Sequence, residues 1–154
     1  MNYQYLDSPL GRLRLVSDGK HLVSIEFDGG HTCTATDCEL SDQLLQDCAS
    51  QLQEYFAGTR HSFDLPLAPG GTQFQQSVWQ QLTQIPHGQT CSYKDIATGI
   101  GKPKAVRAVG AANGRNPIPI VVPCHRVIGS DGSLTGFAGG IGMKKQLLEL
   151  EGAI

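Results

Sequence analysis

Cys124, His125 and Arg126 stand side by side in "IPIVVPCHRVIG", behind an apolar run punctuated by Pro119 and Pro123. A thiol is nucleophilic as its thiolate, and a nearby imidazole can take its proton. A third group, commonly a carboxylate, orients the imidazole and stabilises its charged form. Neighbours in a strand point to opposite faces. Cys124 and His125 therefore cooperate only across a bend or through a bridging water, and Pro123 favours irregular backbone at that point. The closing "GMKKQLLELEG" reads as a short helix stopped by Gly152 and offers two carboxylates. Glu149 follows Lys145 by four residues, an exposed ion-pair spacing. Glu151 follows Leu147 by four and Leu148 by three, so it shares their inward face, and a buried carboxylate needs a partner. On residue types alone a Cys/His/Glu active site, a structural thiol and a thiol hydrolase all stay open.

The elements that must position these residues can be read from periodicity. "GRLRLVS" and "HLVSIEF" alternate polar and apolar residues around Asp18-Gly19, which predicts a β-hairpin. From Glu39 to Ala57 a helical stripe carries Leu40, Leu44, Leu45, Cys48, Leu52, Tyr55 and Phe56, with Gly58 as its stop. "FDLPLAPGG" reads as a last strand followed by a linker, which puts a domain boundary near residue 70. Thr72 caps a helix with Phe74, Val78, Trp79 and Leu82. "SYKDIATGIGKPKAVRAVGAANGRNP" predicts two short helices around a Gly-Lys-Pro turn, Ser92 capping the first and Pro103 in the first turn of the second. That pair resembles a helix-turn-helix, and its second helix is made almost wholly of small side chains plus Arg107.

Composition narrows the setting. With 154 residues, 40% of them hydrophobic, the chain can build one or two small cores. It has no apolar run long enough for a transmembrane helix and no signal-peptide pattern at its start. Five cysteines is an odd count that suits reduced thiols in a cytoplasmic protein. Cys48 lies on the helical stripe and reads as a core thiol, and Cys91 as structural. His31, Cys33 and Cys38 with Cys48 offer ligand types without a familiar zinc spacing, so no metal and no cofactor is expected. Residues 1–71 hold four Lys/Arg against ten Asp/Glu, whereas residues 72–154 hold eight against four. The basic half points to a polyanionic partner for the C-terminal region.

Here the motifs carry a resemblance. "PCHRV", preceded by "RNPIPIVV" and followed by "GFAGG", resembles the active-site signature of the O6-alkylguanine-DNA alkyltransferases, also called methylated-DNA–protein-cysteine S-methyltransferases. It extends through the helix pair and "LLELEG", covering about residues 72–152 closely, with the N-terminal hairpin a weaker but compatible match. The resemblance implies an α/β fold: an N-terminal domain of antiparallel sheet plus helix over residues 1–70, then a mostly helical domain over 71–154 with the helix-turn-helix. It implies a monomer that repairs double-stranded DNA by moving an alkyl group from guanine O6 irreversibly to its own Cys124. His125 would be the base through a water, Glu151 its orienting partner, Tyr93 a proton donor to guanine N3, and Asn116 a brace for the turn.

DNA would lie on Lys104, Ala105, Arg107, Ala108 and Ala111, with Ala112, Asn113 and Arg115 completing the surface. Small residues suit entry into the minor groove, and Arg107 would fill the gap left by a flipped-out nucleotide. Pro119, Phe137, Ala138 and Gly139 would line the alkyl-base pocket. Where some members have Tyr and then Ser, this chain has Phe137-Ala138, so loop N–H groups would have to meet guanine O6. O4-alkylthymine is a second substrate to consider. A helix-turn-helix protein that binds alkylated DNA without repairing it is the competing reading, and the presence of Cys124 argues against it.

Overall fold

The computed structural model describes residues 1–27, 38–39, 42–137 and 139–154. In its first unit, Met1–Gly70, the chain opens with β1 (Asn2–Ser8), which the sequence reading did not anticipate. Tyr3, Tyr5 and Leu6 put apolar groups on both faces of β1 and blur its alternation. The expected hairpin follows as β2 (Gly11–Ser17) and β3 (Leu22–Phe27). β2 pairs antiparallel with both β1 and β3, and β4 (Cys38–Glu39) adds to β1 in parallel, for the order β3-β2-β1-β4. Register brings Leu6 opposite Leu13 and Leu15 opposite Ile25, on the face that α1 (Gln43–Phe56) covers with Leu45, Cys48, Ala49, Leu52 and Tyr55. On the other face Arg12 stacks over Tyr5 and Arg14 over Tyr3, while Arg14 also pairs with Glu26 at 3.0 Å.

Two expectations for this unit need correction. The helix starts at Gln43 rather than Glu39, because Glu39 is in β4 and Asp42 takes the cap, accepting from Leu45 N–H at 2.8 Å. Leu40 lies outside the described residues. "FDLPL" is not a strand. It makes one bridge at Leu67, with Leu22 N–H donating to Pro66 O and Ala68 N–H to Leu22 O, and Pro66 has no N–H with which to continue a ladder.

The second unit, Gly71–Ile154, is mostly helical. Thr72 and Gln75 form a reciprocal capping box at the start of α2 (Gln73–Leu82), which buries Val78, Trp79 and Leu82. After β5 (Cys91–Ser92), Ser92 and Asp95 form a second box on α3 (Tyr93–Gly99). α4 (Val106–Gly114) follows, and both α2 and α3 pack on it. Pro103 is not in its first turn as expected. It sits in a separate turn that Ala105 N–H closes onto Lys102 O at 2.9 Å, a place suited to its fixed φ. Trp79 fixes the far end of α4 by donating its indole N–H to Ala112 O at 2.8 Å. β6 (Val127–Ile128) pairs in parallel with β5, and α5 (Ile141–Leu150) closes the unit.

Ser92 is thus the joint between a strand and the helix that starts with Tyr93. Ser92→Ala should lower the unfolding free energy by about 1 kcal/mol, read from the urea midpoint at unchanged slope.

Candidate active site

The apolar run before Cys124 is a stapled turn. Val122 N–H donates to Ile118 O at 2.9 Å. The Asn116 amide bridges both ends, accepting from Ile118 N–H at 3.0 Å and donating to Val122 O at 2.8 Å. Between them, buried Ile120 adopts φ 74°, a left-handed conformation that a β-branched side chain takes only under constraint. Pro123 (φ −81°, ψ 64°) then makes an inverse γ-turn, closed by Cys124 N–H on Val122 O at 2.8 Å. Cys124–Arg126 follows as one 3-10 turn, where successive side chains lie about 120° apart rather than on opposite faces. The bend that the Cys-His pair needs is therefore present, and the turn packs against α5 and α2.

Glu151 caps the C-terminus of α5 with its side chain fully buried. Its Oε2 lies 2.7 Å from His125 Nε2. A carboxylate only accepts, so the proton is placed on Nε2, which leaves Nδ1 with its lone pair. Nδ1 is buried and has no hydrogen-bond partner among the described residues. Arg126, which the sequence reading left without a role, forks onto the same carboxylate: Nε to Oε1 at 2.8 Å and Nη2 to Oε2 at 3.0 Å. Its Nη1 donates to Ile85 O at 2.7 Å. Glu149 instead faces solvent, 3.8 Å from Lys145.

Lys144 was missed. It is fully buried, and its Nζ donates to Val127 O and, at 2.6 Å, to Thr135 O. The signal was available, since Lys144 stands three and four residues before Leu147 and Leu148, on the face already assigned to Glu151. Tyr93 donates to the same Thr135 O at 3.0 Å, and Lys144 Nζ is 5.9 Å from the Tyr93 ring centre. The adjoining Gly136 has φ +66° and passes so close to the Tyr93 hydroxyl that a Cβ there would sit 3.2 Å from it.

Burial dominates the electrostatics. It pushes the Cys124 thiol up to about 11, against a hydrogen bond from Asn116 and the charge of Lys144, which pull it down. Burial also lowers His125, outweighing the hydrogen bond and charge of Glu151, with Arg126 and Lys144 pushing the same way as burial. Lys144 itself is brought down to about 8, again by burial. Both shifts favour a neutral thiol beside a neutral imidazole. Cys48, with a thiol pushed up to about 12 by burial, is a core residue.

Comparison with known proteins now identifies the architecture. The family model described as 6-O-methylguanine DNA methyltransferase, ribonuclease-like domain matches residues 1–69, and the DNA binding domain of the same family matches residues 73–153. The chain belongs to the 6-O-methylguanine DNA methyltransferase family. A methylated-DNA–protein-cysteine methyltransferase of Methanosarcina barkeri is 49% identical over 98% of this chain and 97% of its own length. One of Mycobacterium tuberculosis is 47% identical over 98% and 92%. Among solved structures, the M. tuberculosis OGT in complex with DNA superposes with a TM-score of 0.91 at 47% identity, covering 99% of this chain and 94% of that one.

Within this family frame, the surface expected of α4 is in part corrected. Arg107, Ala108 and Ala111 are exposed along one face, continued by Arg115 after the helix and Lys104 before it, and Ala105 is half-buried. Ala112 and Asn113 point inward with Val109 and do not belong to that surface. Residues 109, 112 and 113 recur at three and four, which is the buried stripe of a short helix. Asn113 instead donates from Nδ2 to Cys124 O at 3.4 Å. Pro119 and Phe137 are buried and Gly139 is half-buried. Ala138, His31 and Cys33 lie outside the described residues, as does the side chain of Cys38. Among the described residues no group of three or more His, Cys, Asp and Glu could hold a metal ion, and no helix is long and apolar enough to cross a membrane.

The thiol environment gives a direct check. Without DNA, iodoacetamide at pH 7.5 should label half-buried Cys91 before Cys124, and Cys124 before Cys48, by peptide mapping. A thiol raised to about 11 should gain about tenfold in labelling rate per pH unit between 7 and 9, because its thiolate fraction rises by that factor.

Proposed function

We propose that this chain repairs DNA by direct reversal, moving the methyl or other alkyl group of O6-alkylguanine to Cys124. The observation that carries the reading is Cys124 and His125 on one tight turn, with the His125 ring held by Glu151 at 2.7 Å and its Nδ1 left as the base. The Cys124 proton passes through a water to His125 Nδ1 as the sulfur attacks the alkyl carbon. The S–C bond forms as the C–O6 bond breaks. Tyr93 gives its hydroxyl proton to guanine N3, so the base leaves neutral, and the proton held by His125 restores the tyrosine. The net change turns thiol and O6-methylguanine into methyl thioether and guanine. A thioether is not hydrolysed under mild conditions, so each molecule acts once.

DNA is met by the face of α4 that carries Arg107, Ala108 and Ala111, with Lys104 and Arg115 beside it. Small side chains on an exposed helix suit the minor groove, whose degenerate pattern gives sequence-independent binding, as damage at any position requires. The damaged nucleotide is flipped out, at less cost than for a well-paired base, and Arg107 fills its place. Pro119, Phe137 and Gly139 are assigned to the pocket for the alkylated base. A monomer acting in the cytoplasm fits this reading, because a thiol acceptor needs a reducing compartment.

The decisive measurement is intact mass after incubation with a duplex containing O6-methylguanine. One methyl should appear on Cys124, with no change on undamaged duplex and none in Cys124→Ala. Tight lesion binding without a mass change would instead make the chain a reader of alkylated DNA. Tyr93→Phe should keep the product and slow single-turnover transfer by about a hundredfold.

A further inference from the structure

We infer that Arg126 is a positioning residue that keeps His125 neutral and aimed, by holding Glu151 in a fork and offsetting its charge. The inference rests on the reading of His125 as the base. Three contacts define it. Glu151 Oε2 takes both the His125 Nε2 proton at 2.7 Å and an Arg126 Nη2 proton at 3.0 Å, while Oε1 takes Arg126 Nε at 2.8 Å. The third arm of the guanidinium is tied to Ile85 O at 2.7 Å, so the fork cannot swing with the carboxylate. The Glu151 side chain is fully buried and that of Arg126 nearly so, and their charges act with little solvent screening.

A carboxylate with only His125 as partner would draw the imidazole into its charged form, since an opposite charge in contact favours ionisation. An imidazolium cannot accept the thiol proton. With the guanidinium on the same carboxylate, His125 meets an ion pair of zero net charge that still accepts its Nε2–H. Orientation is kept and the added basicity is largely removed. The other charged groups around the ring agree with this balance. Lys144 on α5 adds positive charge, Cys124 on the same turn is a neutral thiol at rest, and α2, packed against the turn, carries no titratable side chain. The resting state that burial favours, a neutral His125, is thereby not undone by its own orienting group.

The test reads His125 itself, in full-length protein without DNA, from the imidazole 15N and 13C resonances between pH 4.5 and 9. Wild type should show the Nε2–H tautomer, neutral at pH 7. Arg126→Met should raise the protonation midpoint by about one unit or more. Arg126→Lys, which keeps the charge and loses the fork, should lie nearer to wild type than Arg126→Met does. In single-turnover transfer from an O6-methylguanine duplex, the acid limb of the rate profile should move with the same midpoints. An Arg126→Met protein whose His125 titrates as in wild type overturns the inference, as does a lysine variant shifted as far as the methionine one. Should Arg126→Met fail to fold, the wild-type titration decides, because an imidazolium at pH 7 overturns the inference without any variant. Loss of methyl transfer by wild type would instead overturn the proposed function, which the resonance titration does not depend on.

Discussion

One buried carboxylate organises the second unit of this molecule, Gly71–Ile154. Glu151 is the last point of α5, yet its two oxygens receive three hydrogen bonds from the turn at Cys124–Arg126. Through Arg126 the same group reaches Ile85, just beyond α2. A carboxylate taken from water is tolerable only when its lone pairs are matched this closely, and removing one partner of such a pair typically costs about 3–5 kcal/mol. The interaction that orients the His125 ring is therefore also the one that locks the last helix onto the turn at Cys124–Arg126.

The backbone around that turn is arranged to the same end. The staple by Asn116 and the γ-turn at Pro123 hold the chain in conformations it would not take alone, with Ile120 in the left-handed region as the visible strain. Such strain, of order 1–3 kcal/mol, persists only where the surroundings over-determine the conformation. The surroundings here are an amide with two buried backbone bonds and a close-packed apolar run. On the other side, the β5–β6 pair sets the residue before Tyr93 beside the strand that leaves the reactive turn, so tyrosine and cysteine share one frame.

Much of this was legible in the sequence wherever a local rule sufficed. Helical spacing separated Glu151 from Glu149, and capping residues located the starts of α2 and α3. Legibility failed where partners are distant along the chain or where a residue type biases expectation. Arg126 meets groups 25 and 41 residues away, and no spacing rule reports such contacts. Lys144 obeys the rule that found Glu151, but lysine is rarely buried unless paired, and its partners are backbone carbonyls that no spacing rule reports. The resemblance puts Asn113 on the DNA surface, although its spacing from Val109 places it inside. The strand at Asn2–Ser8 became visible only once its pairing partner was known.

Thr135 offers a last consequence. Its carbonyl oxygen has two lone pairs and takes two donors, the Tyr93 hydroxyl and the Lys144 ammonium. Were the tyrosine to turn its proton toward an incoming base, as the proposed reaction requires, the ammonium would stay behind and the carbonyl would not be orphaned. The hydroxyl is thus on loan to the protein rather than committed to it. In the proposed reaction, Lys144 would spare that carbonyl the desolvation cost of losing its other donor.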